Sequence, residues 1–215
     1  MTKVESTDRR RSDTREKILE VAEVLIAKHG VEGFQLKEVA ERVGVRPPSI
    51  FAHFEGRYAI AEAVSERLLL GIIHQLGEDD SGDPEVVLKR WARDLVSYLA
   101  SNPAQIRLIL RDLAQAGSVA KGHFECTDRL LDQINARVGA IVQRGLDQGR
   151  FRRVRPEALS AQFIGALVTT MVWSGWDENG YPIPSVPIDV VQEEAEALVM
   201  GLVCVLDRSS APTGP

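Results

Sequence analysis

Residues able to ligate a metal or carry out nucleophilic chemistry are few and scattered. His29, His53, His74 and His123 do not cluster with cysteine or paired carboxylates, and Cys126 and Cys204 lack CxxC or CxxH spacing. Phosphate-loop, dinucleotide, zincin and nucleophile-elbow motifs are missing from the sequence. An enzyme would need an active site with no local signature, so no catalytic residue, metal or cofactor is expected. A different chemistry is concentrated in residues 44–57, GVRPPSIFAHFEGR. Arg46, Ser49 and His53 offer hydrogen-bond donors beside the apolar rings of Pro47 and Pro48 and the small Ala52. Such a set suits phosphate oxygens, base edges and thymine methyls.

These side chains need a short, stiff element to carry them. A proline at the first helical position loses no intrahelical bond and presets φ, so the paired prolines rigidify the entry to a helix expected over about 47–54. Ile50, Phe51 and Phe54 include its inward-facing residues, while Arg46, Ser49, Ala52 and His53 point outward. The preceding helix, about 36–43, places Leu36, Val39, Ala40 and Val43 on one face and ends at Gly44. Together they form a helix–turn–helix, whose second helix enters the major groove of DNA. Before them, a first helix is expected to start at Asp13, where Asp13 and Glu16 resemble a capping box. Its stripe is Ile18, Val21, Ala22 and Leu25, and Gly30 closes it. A fourth helix, about 57–76, leads away from this trio.

The remaining chain repeats the helical pattern, and no stretch shows convincing strand alternation. Asp83-Pro84-Glu85 and Asn102-Pro103 read as helix starts, Gly117 and Gly122 bracket a loop, and a long helix over about 123–148 stops at Gly149. Pro156 opens a helix containing the uncharged run 158–176, which reads as a helix buried among helices rather than a membrane span. GYPIPSVP at 180–187 is an extended loop, and the last helix spans about 189–207. The fold class is all-α: a three-helix DNA-binding head (1–57, with a basic arm), a larger helical body (58–208), and a frayed tail (209–215). The net charge of −5 is unevenly spread. Residues 1–60 carry 11 Lys and Arg against 10 Asp and Glu, with Arg9, Arg10, Arg11, Arg15 and Lys17 grouped near the first helix. That grouping suits either a DNA-facing arm or a solvated one. A polar N-terminus without a secretory pattern and two isolated cysteines suit the cytoplasm.

Residues 14–60 resemble the DNA-binding head of the TetR family of bacterial transcriptional repressors. The resemblance rests on an apolar first helix ending in His29-Gly30, then Gly33-Phe34, Val39-Ala40, Gly44-Val45, Pro48-Ser49-Ile50-Phe51 and His53-Phe54. Arg57 stands where the family usually has lysine. The resemblance implies that Gln35 and Lys37 approach the DNA backbone and groove edge, and that Arg46, Pro47, Pro48 and Ser49 lie nearest the bases. It implies phosphate contacts from His53 and Arg57. Phe51 replaces a customary tyrosine and so lacks its phosphate-bonding hydroxyl, and Arg46 replaces a customary capping residue but has the fork for a bidentate contact to guanine.

The resemblance also implies a twofold dimer on a palindromic operator and a small-molecule effector that controls the heads. The last two helices read as apolar on nearly all sides, so one side can face a partner subunit, through Gly165, Val168, Val172, Leu198, Leu202 and Val205. A monomer whose own core covers both sides is the alternative. Trp91, Leu95 and Tyr98, with Phe124, Ile134 and Trp173, are candidates for an apolar effector pocket, although such a stripe equally suits plain core. His74 and His123 could add polar contacts. A helical protein-interaction module without DNA affinity is the rival reading.

Overall fold

The computed structural model describes residues 3–115, 124–173, 175–184 and 186–204, with backbone alone for 3–10, 115, 125 and 126. The described residues form helices joined by turns, with two isolated antiparallel bridges. No described helix is long and apolar enough to cross a membrane. Gly117, Gly122 and His123, and the tail expected over 209–215, lie outside the described residues.

Helix α1 (Lys3–Gly33) begins well before the expected Asp13. Neither glycine nor proline interrupts 3–29, so nothing stops the helix there, and Glu16 turns outward to Arg67 (2.8 Å) instead of closing a capping box. Gly30, at φ 71° and ψ 175°, breaks it, and one further turn follows. Helices α2 (Leu36–Val43) and α3 (Pro47–Ile50) complete the three-helix head, and α4 (Arg57–Gln75) packs on it and leads to the body. At Gly44 the left-handed backbone (φ 79°, ψ 31°) lets its N–H return to the carbonyls of Ala40 and Glu41. The head core gathers Ile18, Leu25, Val39, Ile50, Phe54 and Val64.

The body comprises α5 (Pro84–Ser101), α6 (Pro103–Gln115), α7 (Glu125–Asp147), α8 (Pro156–Val172) and α9 (Ile188–Val203). Asp83 caps α5 as expected, accepting from the Glu85 and Val86 N–H groups. Asn102 does not repeat the device: its side-chain amide donates back to the Tyr98 carbonyl (2.8 Å), at the end of α5. Helix α9 lies along α5, held by Arg93 Nε donating to Glu196 (2.8 Å) and Gln192 donating to Ser97 (2.8 Å).

Two helices belong to both cores. Leu68 of α4 packs into the head core and Leu69 into the body core. Ala104 and Leu108 of α6 likewise pack with the head, whereas Ile106 packs with the body.

The expectation that α8 and α9 are apolar on nearly all sides is not met. Phe163, Leu167, Val168 and Met171 of α8 are buried, but Gln162, Thr169 and Thr170 are exposed, as are Glu193 and Glu194 of α9. Val168, only 1% exposed, is filled into this chain's own core and cannot face a partner. Gly165, Val172, Leu198 and Leu202 remain partly accessible, and Val205 lies outside the described residues.

The loop between α8 and α9 is not merely extended. Trp176 and Pro182 form an antiparallel bridge, and Asp177 accepts from the Asn179 and Tyr181 N–H groups (2.9 and 2.8 Å). The loop rests on the head: a Cβ at Gly180 (φ 84°) would overlap the Ala27 carbonyl of α1. Arg107 of α6 stacks over Trp176 at 3.6 Å and donates to that same carbonyl (3.3 Å). Gly82 has a similar φ of 94° but open space around it. Gly180→Ala should therefore destabilise the protein more than Gly82→Ala, by about 1–3 kcal/mol or a few degrees in Tm, as read by thermal unfolding.

Candidate nucleic-acid interface and ligand cavity

The chain from Arg46 to Phe54 makes one α-helical turn, Pro47–Ile50, which stops short of the expected end near residue 54. Pro47 and Pro48 remove the first N–H donors, so the first bond is Ser49 N–H to the Arg46 carbonyl (2.8 Å). After Ile50 the chain tightens: Ala52 bonds back to Ser49 and His53 to Ile50. Ile50 and Phe54, four residues apart, share the buried face. Phe51 is turned about 100° from Ile50 around the axis. It is 59% exposed, which corrects its placement among the inward-facing residues.

The outer surface of the head then carries Gln35, Lys37, Arg46, Pro47, Pro48, Ser49, Phe51 and Ala52, all exposed, with His53 half-buried. Arg46 precedes the helix in extended conformation (φ −74°, ψ 142°) and makes no capping bond. Lys37 lies 3.7 Å from Glu41, an exposed pair that holds it loosely. Arg57 is partly committed within the protein, donating to the Glu32 carbonyl at 2.6 Å and lying over Tyr58.

The early start of α1 brings in residues that sequence reasoning grouped only as a basic arm. Arg11 donates to the Ala52 carbonyl (3.2 Å), and Arg15 stacks over Phe54 at 4.9 Å. Both brace the recognition element from behind. The only sequence signal was their charge, and for Arg11 the contact also requires the part of α1 before Asp13 that the apparent capping box concealed. Their proximity also acts on His53, whose pKa lies below its ordinary value of 6.5 through desolvation and then repulsion from Arg11 and Arg15.

In the body, α4, α5, α6, α7 and α8 enclose a cavity of about 400 Å³. Trp91, Leu95 and Ile134 line it; the other three residues expected there do not. Tyr98 turns toward α4, where its hydroxyl donates to the Leu68 carbonyl (2.6 Å) and its ring fits against the bare Gly71. Buried and close to Glu23, the phenol is pushed up to about 12. Phe124 is packed in the head core beneath Arg111 (4.4 Å), and Trp173 is 79% exposed at the end of α8. His74 is exposed and not part of the lining. Leu69 and Ile72 of α4, Gln105 of α6, Phe163 of α8 and Val199 of α9 are also in the wall. The apolar periodicity of these helices was visible in the sequence, but periodicity does not distinguish a cavity wall from filled core.

The comparisons agree with this geometry. Residues 18–64 match the family of bacterial regulatory proteins described as the tetR family. The chain is 33% identical over 67 residues to the class C tetracycline repressor of Escherichia coli. That match covers 31% of this chain and 31% of the repressor, about a third of its length. It is 23% identical over 167 residues to the HTH-type transcriptional regulator SrpR of Pseudomonas putida, spanning 76% of this chain and 75% of that one. The crystal structure of AibR in complex with isovaleryl coenzyme A and operator DNA aligns with a TM-score of 0.66, at 15% identity, over 86% of this chain and 97% of that chain. Residues 18–64 of the head thus resemble the matching segment of the tetR family, and the whole chain shares the all-α fold of solved TetR-family regulators.

His53 is mostly neutral at neutral pH, and a phosphate beside it would favour its protonated form. DNA binding should therefore take up a proton, so that affinity for duplex DNA rises as pH falls from 7.5 toward 6. In fluorescence anisotropy titrations, His53→Gln should flatten that dependence; an unchanged slope would remove His53 from the interface.

Proposed function

We propose that this chain is a cytoplasmic, homodimeric repressor that reads a palindromic operator through Arg46, Pro47, Pro48 and Ser49, and is released by a small, largely apolar effector. The observation that carries the reading is the one-turn helix α3 with the turn that follows it, where buried Ile50 and Phe54 fix an outer surface of donors and small apolar groups. Arg46 reads guanine through its fork, and Gln35, Lys37, His53 and Arg57 hold the backbone. Phe51 has no hydroxyl for a phosphate and makes an apolar contact instead. The division between head and body falls near residue 57, where α4 starts.

Two heads are needed for selectivity, and a twofold pair matches a palindrome. The accessible strip of Gly165, Val172, Leu198 and Leu202, extended by Trp173, is the surface assigned to the partner subunit. The cavity supports the effector, and AibR, of similar fold, was solved with both a small molecule and operator DNA. The family and fold are those of regulators, and we assign the chain no catalysis.

Selection from a random duplex library with the purified full chain tests this directly. The expected outcome is a palindrome with half-sites about one helical turn apart. Affinity for it should fall steeply with salt as counterions are released. Arg46→Ala should relax one base position at a cost of about 1–3 kcal/mol, whereas Arg57→Ala should weaken all sequences alike. No enrichment at low or moderate salt would contradict the reading, as would enrichment unaffected by both substitutions.

A further inference from the structure

The cavity wall is apolar, yet polar atoms interrupt it in a definite pattern. Trp91 Nε1, Gln105 Oε1, Thr127 Oγ1, Asn135 Oδ1 and Ser160 Oγ are all buried without a hydrogen-bond partner among the described residues, and all five residues line the cavity. Gln105 is only 2% exposed, so water outside the cavity cannot satisfy it. Native proteins rarely leave buried polar groups unpaired, and a concentration of them around an empty volume marks where a ligand's polar groups belong. The two amide oxygens can only accept, the indole N–H can only donate, and the hydroxyls can do either.

The charges at the wall are of one sign. Asp112 and Glu157 line the cavity, and no lysine, arginine or histidine among the described residues does. The nearby cations are already engaged. Arg111 pairs with Asp112 at 2.9 Å and stacks over Phe124. Arg137 lies over Trp91 at 4.5 Å but donates twice to Asp80 (2.7 and 2.8 Å). The N-terminus of α8 would attract an anion, but Glu157 occupies its first turn and Pro156 has no N–H to offer. An anion entering this site would lose its hydration and meet no cation in the described wall.

Resting on the effector reading above, we infer that the cavity takes neutral or cationic amphiphiles that carry an O–H or N–H donor on an apolar body, and rejects organic anions. The donor meets Gln105 Oε1 or Asn135 Oδ1, and an acceptor on the ligand, where present, meets the Trp91 N–H. The apolar body lies against Leu69, Ile72, Leu95 and Phe163.

The test uses the full-length protein and the fluorophore N-phenyl-1-naphthylamine, which is uncharged and carries an N–H. It should bind saturably, and three ten-carbon competitors should then differ. Decan-1-ol and decylammonium should displace it at concentrations about tenfold or more below those needed for decanoate. Gln105→Leu and Asn135→Leu should each raise the decan-1-ol concentration required several-fold, while 1-chlorodecane, which has no donor, is unaffected. Decanoate displacing as well as the alcohol would overturn the charge selection and leave the effector cavity standing. Equal effects of the substitutions on alcohol and chloroalkane, or none on either, would overturn the hydrogen-bond assignment. No saturable binding of the fluorophore would overturn both the inference and the effector reading beneath it.

Discussion

Helix α6 works on two sides at once, and the rest of the architecture is arranged around that constraint. Ala104 and Leu108 are packed into the head core, while Gln105 and Ile109, one residue further round the helix, line the body cavity. A helix is stiff on this length scale, and close-packed neighbours do not deform continuously. A ligand filling the cavity would therefore push on the same rod that supports α1. Arg107 extends the arrangement, since it reaches the Ala27 carbonyl and stacks on Trp176. The C-terminal end of α1, α6 and the α8–α9 loop thus meet at one joint. Helix α8 enters the joint from the cavity wall and α1 leaves it toward the recognition element. Gly180 is required there because only a residue without Cβ lets the loop approach the α1 backbone.

Much of the head was legible because its local signals agree. Gly44 fixes the turn, the prolines fix the start of α3, and the spacing of Ile50 and Phe54 fixes which side is buried. Where signals were equivocal, the reading drifted. Asp13 and Glu16 looked like a capping box, but Glu16 finds Arg67 across the fold and the helix runs through. Phe51 looked like core by residue type, whereas its angle on the helix turns it to the surface.

The body was legible as helices but not as a site. Trp91, Leu95 and Tyr98 share one helix, yet two face the cavity and the third is turned away by a hydrogen bond to a carbonyl thirty positions earlier. Val168 looked suited to an interface and Trp173 to a pocket wall, and long-range packing buries the first and exposes the second. Gln105 gave no signal at all, since one glutamine in an amphipathic helix normally faces water. Its significance depends on the helices that close around it.

Coupling between the cavity and the proposed DNA surface is measurable through linkage. The affinity of the full-length protein for its selected duplex should be determined with the cavity empty and with it saturated by N-phenyl-1-naphthylamine. Transmission through α6 predicts affinity lower by about tenfold or more when the cavity is filled, with the fluorophore held more weakly by the DNA-bound protein in the same ratio. Identical DNA affinity in the two states, with the cavity demonstrably occupied, would contradict it.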